Sequence, residues 1–148
     1  MKKQMITTIG LAMFFVTLST TSVRAQNAGT VSVNIPFDFA VASKTLPAGE
    51  YYVRRNVQGG QVSIQIRSTD NARSVFLPSH TVTGTDIQAE SKLVFNRYGD
   101  QYFLSQLWIS GRSTAEELAR TSRERRLQSE MAKRSTKPET IAINGKLN

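Results

Sequence analysis

The 148-residue chain has no cysteine, one histidine, one tryptophan and four prolines. Without cysteine there is no disulfide, thiol nucleophile or thiolate metal site, so stability must come from a packed core. One imidazole falls short of the several nitrogen or sulfur ligands that zinc draws, and no metal site is expected. His80 stands in Ser79-His80-Thr81, and no G-x-S-x-G elbow supplies a nucleophile for it. It reads as a surface-loop histidine. Acidic residues number 11 against 19 basic ones. The stretch Asp86 to Glu90, DIQAE, lacks the dense acidic spacing of an EF-hand loop. Asp38, Glu50, Asp86, Glu90 and Asp100 are too scattered for spacing alone to pair any two as acid and base. No repeat of solenoid or propeller length is present. No cofactor and no enzymatic activity are expected.

Long apolar runs are missing as well, except at the start. Met1-Lys2-Lys3-Gln4 is a short basic opening, Met5 to Leu18 is apolar apart from small or hydroxyl residues, and Val23-Arg24-Ala25 suits a signal peptidase. Residues 1–25 therefore read as a signal peptide cleaved after Ala25, which places the protein outside the cytoplasm, in a periplasm or fully secreted. The alternative is a membrane anchor or buried helix, although a spanning helix wants about 20 apolar residues. No Cys follows the cleavage site, so a lipid-modified N-terminus is not indicated. The remaining 123 residues hold 16 basic and 11 acidic side chains, a net charge of +5, and no membrane-spanning stretch.

What is present is alternation. Val31, Val33, Ile35, Phe37 and Phe39 share one face of a strand, with Ser32, Asn34, Pro36 and Asp38 on the other. Pro36 lacks a backbone donor, which suggests a sheet edge or a bulge. Ser43 to Gly49 then turns the chain, with Pro47 presetting φ and Gly49 free to take a left-handed backbone, before a strand from Glu50 to Val57. A turn centred on Gly59-Gly60 pairs Val57 with Val62, Arg55 with Ile64 and Val53 with Ile66. A turn at Asp70-Asn71 pairs Ile66 with Val75 and Ile64 with Leu77. Both turns, chosen from residue type alone, put the same side inward. A three-stranded meander from Glu50 to Leu77 follows, ended by Pro78. Ser79 to Ser91 has no sustained period and holds either a short strand around His80 to Thr83 or a surface loop.

Lys92 to Ile109, KLVFNRYGDQYFLSQLWI, reads as a hairpin about Gly99-Asp100. That turn pairs Tyr98 with Gln101, Arg97 with Tyr102, Phe95 with Leu104 and Leu93 with Gln106, and carries Trp108 inward. A three-residue loop, Tyr98 to Asp100, would instead pair Phe95 with Phe103 and send Leu107 and Ile109 inward, because a one-residue slip exchanges the faces.

Beyond Gly111, Ser113 with Glu116 and Thr114 with Glu117 both fit a helix-capping arrangement. They predict a helix from about Thr114 to Ala132, in which Leu118 and Leu127 project from nearly opposite sides. The expected organisation is a β-domain over residues 26–112, a charged helix over 113–134 and a flexible tail over 135–148. The fold class is mainly β: a small antiparallel sandwich or partly closed barrel of about six or seven strands with one C-terminal charged helix.

The stretches Asn34-Ile35-Pro36-Phe37-Asp38-Phe39, Leu46-Pro47-Ala48-Gly49-Glu50-Tyr51 and Arg97-Tyr98-Gly99-Asp100-Gln101-Tyr102-Phe103-Leu104 together resemble those of a group of small exported bacterial proteins without an assigned activity. The resemblance covers Val31 to about Arg126. It implies an exported β-rich domain and supplies no site residues.

Two polar side chains fall on the apolar rows: Arg55 opposite Ile64, and Gln106 opposite Leu93. A buried arginine must be paired, reach the rim, or face a solvated cavity. The alternatives are a rim position or local bulge, and a ligand pocket formed by Arg55, Gln106 and Trp108, with the guanidinium fixing an anion and the indole giving an apolar wall. On the expected helix, Arg120, Arg123 and Arg126 could meet an anionic surface. Glu116, Glu117, Glu124 and Glu130 are interleaved with them, which describes an ordinary solvated face. The leading functional expectation is a non-enzymatic exported domain that binds a protein or small ligand or has a structural role in the envelope. The alternatives are a hydrolase-like cavity enzyme and a basic-helix module adhering to anionic polymers. Nucleic acid is not an expected partner.

Overall fold

Apolar side chains at every second position bury one face of a strand, and a closed barrel buries all such faces without leaving long edges. The computed structural model describes residues 29–148 and takes this solution; the expected leader lies outside the described residues. The strands are β1 (Thr30–Ile35), β2 (Phe39–Val41), β3 (Lys44–Leu46), β4 (Gly49–Gln58), β5 (Gln61–Ser68), β6 (Ser74–Thr83), β7 (Ser91–Tyr98), β8 (Gln101–Trp108), β9 (Thr114–Leu118) and β10 (Glu139–Leu147), with helix α1 (Ser122–Lys133) before the last. Eight of them form an antiparallel ring in the order β8-β7-β10-β1-β4-β5-β6-β9, closed by β9 against β8. The β2–β3 hairpin is added outside the ring through a parallel pairing of Phe39 with Tyr102 and Ala40 with Phe103. The mainly-β class with one helix agrees with the sequence, and the barrel is fully closed.

The meander has the expected register throughout. Val57 pairs with Val62, Arg55 with Ile64 and Val53 with Ile66; Ile66 then pairs with Val75 and Ile64 with Leu77. Val53, Ile64 and Ile66 are 0–1% exposed. Gly59 and Gly60 take the positive φ, 57° and 79°, that their turn requires. Around Asp70 the connection is wider than two residues, and Asp70 Oδ1 accepts from Ser68 Oγ at 2.5 Å and from the Ala72 amide at 2.9 Å.

The two-residue turn sets the register of the first part of β7–β8, and the three-residue alternative, which would pair Phe95 with Phe103, does not occur. Near the turn, Tyr98 pairs with Gln101, Arg97 with Tyr102 and Phe95 with Leu104. The register then shifts: Val94 pairs with Gln106 and Leu93 with Leu107, leaving Ser105 as an extra residue, a β-bulge. Beyond it, Leu107 and Ile109 are buried inside, while Gln106 and Trp108 turn outward. Both runs of large apolar residues on β8 thereby reach the core.

Neither proline acts as expected. Pro36 lies just past β1, which is not an edge but sits between β4 and β10. Pro78 does not end its strand, because β6 changes partners there: Ser74 to Pro78 run along β5, and Ser79 to Thr83 run along β9. One end of the barrel is filled by aromatic rings. Phe39 meets Tyr51 and Phe95 edge-to-face at 5.3 and 5.5 Å, and Phe37 stacks on Tyr102 at 3.8 Å.

The C-terminal third departs most from expectation. Thr114–Leu118, expected as the first turn of a helix, is β9: it pairs with β6 along its whole length and with β8 over Ala115 to Glu117, and Ala115 and Leu118 are buried. The helix starts eight residues later. Its cap is Thr121, whose hydroxyl accepts from the Glu124 amide at 3.0 Å. With Leu118 outside it, the helix has one coherent inward face of Glu124, Leu127, Gln128 and Met131, at helical spacing. It packs on the outer face of β7, over Tyr98. Residues 139–147, expected as a flexible tail, are β10, which pairs with β7 from Glu139 to Gly145 and with β1 at Leu147 and Lys146. Gly145 permits that crossing: a Cβ there would collide with Val31 Cγ1 and lie 2.9 Å from the Ser32 carbonyl oxygen.

Candidate binding cleft

The ring is held by a short pairing between β8 and β9. These strands pair only over Gln106 to Trp108. The first half of β8 has β2 as its neighbour on that side, and β9 stops at Leu118. The gap between β2, the end of β9 and the start of α1 is a cleft of about 240 Å³. Its floor and walls include Leu77, Phe103, Leu104 and Leu118, and the small side chains of Ala40 and Ala42 leave it open.

One wall carries Glu124. The residue is only 3% exposed, and its carboxylate is held on one side. Oε1 accepts from Asn96 Nδ2 at 2.8 Å and from the Tyr98 hydroxyl at 3.3 Å, with Arg120 Nε 4.0 Å away. No side chain among the described residues donates to Oε2. Burial, then the neighbouring Glu124 charge and hydrogen bond, push the Tyr98 phenol above its ordinary pKa, opposed by Arg120. The phenol therefore stays a donor to Glu124 through neutral and mildly alkaline pH. A buried carboxylate with one engaged and one open oxygen, beside an apolar cleft, can accept a hydrogen bond from a guest or pair with a cation.

The pocket expected from Arg55, Gln106 and Trp108 is not formed, because Arg55 points into the barrel from β4 while the Ser105 bulge turns Gln106 and Trp108 outward. Arg55 is paired, one of the outcomes a buried guanidinium requires. Its Nε lies 2.5 Å from Glu116 Oε1, with the side chains 23% and 4% exposed. Thr81 Oγ1 reaches both Glu116 oxygens at 3.1 and 3.2 Å, and Ser79 Oγ lies 3.4 Å from Oε2. This pair links β4 to β9, three strands away around the ring.

On the outer surface Trp108 Nε1 donates to Gln106 Oε1 at 2.9 Å, and Gln106 Nε2 donates to Glu117 Oε2 at 2.7 Å. His80 joins this row at its edge, with Nε2 3.9 Å from Glu117 and its side chain 61% exposed. Trp108 lies over Gly84, where a Cβ would come within 2.7 Å of the indole. Arg120, Arg123 and Arg126 are all exposed, Arg120 just before the helix and the other two on it. Arg123 donates to Gln101 Oε1 at 2.5 Å and rests over Phe103.

Sequence reasoning missed Glu116 and Glu124, the two most buried carboxylates, by placing both on a solvated helix. A signal for Glu124 was present. Thr121 and Glu124 have the same capping spacing as the two pairs upstream, and only from Thr121 onward do Leu127 and Met131 repeat at helical distance.

The fold and cleft define a closed eight-stranded antiparallel barrel with a flanking helix. No family model, curated protein or solved structure matches the chain.

Proposed function

We propose that this is a non-enzymatic, exported binding domain whose barrel serves as a scaffold and whose cleft beside β2 takes a small, largely apolar molecule that donates a hydrogen bond to Glu124. The observation that carries this reading is the open Oε2 of a carboxylate that is otherwise buried, in the wall of an apolar cleft of about 240 Å³. That volume suits a guest of one or two rings. His80 does not line the cleft; the Thr121 hydroxyl that does is engaged in capping the helix, and Asn96 and Tyr98 are occupied in orienting Glu124.

Indole and benzofuran form a matched pair of probes, alike in shape but differing in one N–H donor. Titration of the full chain followed by NMR should shift the resonances of Ala40, Phe103 and Leu118 with both. Indole is expected to bind about tenfold more tightly, the worth of a hydrogen bond to a charged group, with a Kd on the order of millimolar for a probe of this size. Ala40→Leu, which fills the cleft, should abolish both interactions. Shifts elsewhere, or none at saturating indole, would contradict the reading.

A further inference from the structure

Three of the four interleaved acids that make the helix read as an ordinary solvated face are not on its exposed surface in three dimensions. Glu116 and Glu117 belong to β9, and Glu124 is buried against the barrel. What α1 and its flanks expose is Arg120, Arg123, Arg125, Arg126, Lys133 and Arg134, against the single acid Glu130. Among the described residues Glu130 makes no ion pair with Arg126 or Arg134, although the spacing would allow both. Arg126 and Lys133, seven residues apart, lie opposite the inward face of Glu124, Leu127 and Met131, so they form the crest of an outward ridge. Lys44 extends the positive field, since it lines the same open hollow as Arg123 beside the helix start.

We propose that this ridge docks the protein on an anionic lipid surface through headgroup contacts, without insertion. The shape of the ridge selects this partner. It is a convex rod about 18 Å long, from twelve residues at about 1.5 Å each, and a flat charged sheet meets it along its whole length. Single-stranded polyanions are held in grooves with aromatic platforms, and the helix sequence SRERRLQSEMAK contains no aromatic residue. Its exposed face has no large apolar side chain either, so attachment is electrostatic and reversible by salt. The export expected from the leader puts lipid headgroups, rather than nucleic acid, within reach. This proposal is independent of the cleft.

Sedimentation of the full chain with vesicles tests it. One set is pure phosphatidylcholine and the other contains about 30% phosphatidylglycerol, with the leader common to every sample. Binding should favour the anionic vesicles and fade as salt rises from about 0.05 to 0.5 M. The triple variant Arg123→Gln, Arg126→Gln, Lys133→Gln should bind them about 100-fold more weakly, the product of three contributions of the size that basic residues make at such surfaces. A second triple variant, Arg73→Gln, Arg112→Gln, Lys146→Gln, removes the same charge from exposed sites off the helix and should lose less than about threefold. Equal losses in the two variants, or equal binding to both vesicle types, would overturn the proposal. So would helix-dependent binding to heparin or duplex DNA without binding to vesicles.

Discussion

Arg55 shows how a polar residue on an apolar row is accommodated inside a barrel. Its position was legible from the register of the meander, and so was its need for a partner, because an unpaired guanidinium there is costly. The identity of the partner was not legible. Glu116 comes from a segment whose capping-like spacing argues for a helix, and only the pairing of Ala115 with Val82 and Trp108 turns that segment into a strand. Removing one member of such a pair strands the other, whereas replacing both with apolar groups restores a satisfied interior. Arg55→Leu should lower the unfolding free energy by about 2–4 kcal/mol, and Arg55→Leu combined with Glu116→Leu should recover most of it. Urea denaturation of the wild type, both single variants and the double variant reads the coupling directly. A stabilised Arg55→Leu single variant would show that Glu116 does not depend on it. The same bulge that separates Arg55 from Gln106 and Trp108 explains why those three do not form a site. A bulge of one residue carries no strong signal when both registers bury apolar side chains.

At the scale of elements, the strands joined by tight turns were readable and the helix boundary was not. Residues 50–77 were fixed by two independent turn chemistries that agreed on one inward face, so the error in either had to match the error in the other. For the helix, three hydroxyl-x-x-glutamate pairs compete within twelve residues, at Ser113, Thr114 and Thr121. Local capping chemistry cannot rank them. Tertiary burial does, by drawing Ala115 and Leu118 into the sheet and leaving Thr121 as the first hydroxyl after it. Thr121→Ala should therefore cost about 1 kcal/mol of stability, with a smaller helical signal in circular dichroism, while Ser113→Ala should leave that signal unchanged. The reverse result would place the cap upstream. The cleft depends on this boundary, because a helix beginning at Thr114 would carry Glu124 nearly three turns in rather than at the mouth.

For the molecule as a whole, closure rests on the last strand. β10 fills the ring between β1 and β7, where the sequence reads as a polar tail. Its apolar residues Ile141 and Ile143 are only partly buried, and their alternation is short. That weak pattern, following Lys137-Pro138, gave no reason to expect a strand, and the long-range pairing that creates it spans almost the whole chain from Val31 to Leu147. Without β10, both β1 and β7 would present free edges and the interior around Leu93 and Phe95 would open. Hydrogen exchange of the native full-length protein is the most direct test. Amides of residues 139–145 paired with β7 should exchange as slowly, to within about tenfold, as those in the centre of β5, because both open only with the barrel. Exchange of residues 139–147 within seconds, while β5 remains protected, would contradict a closed eight-stranded ring.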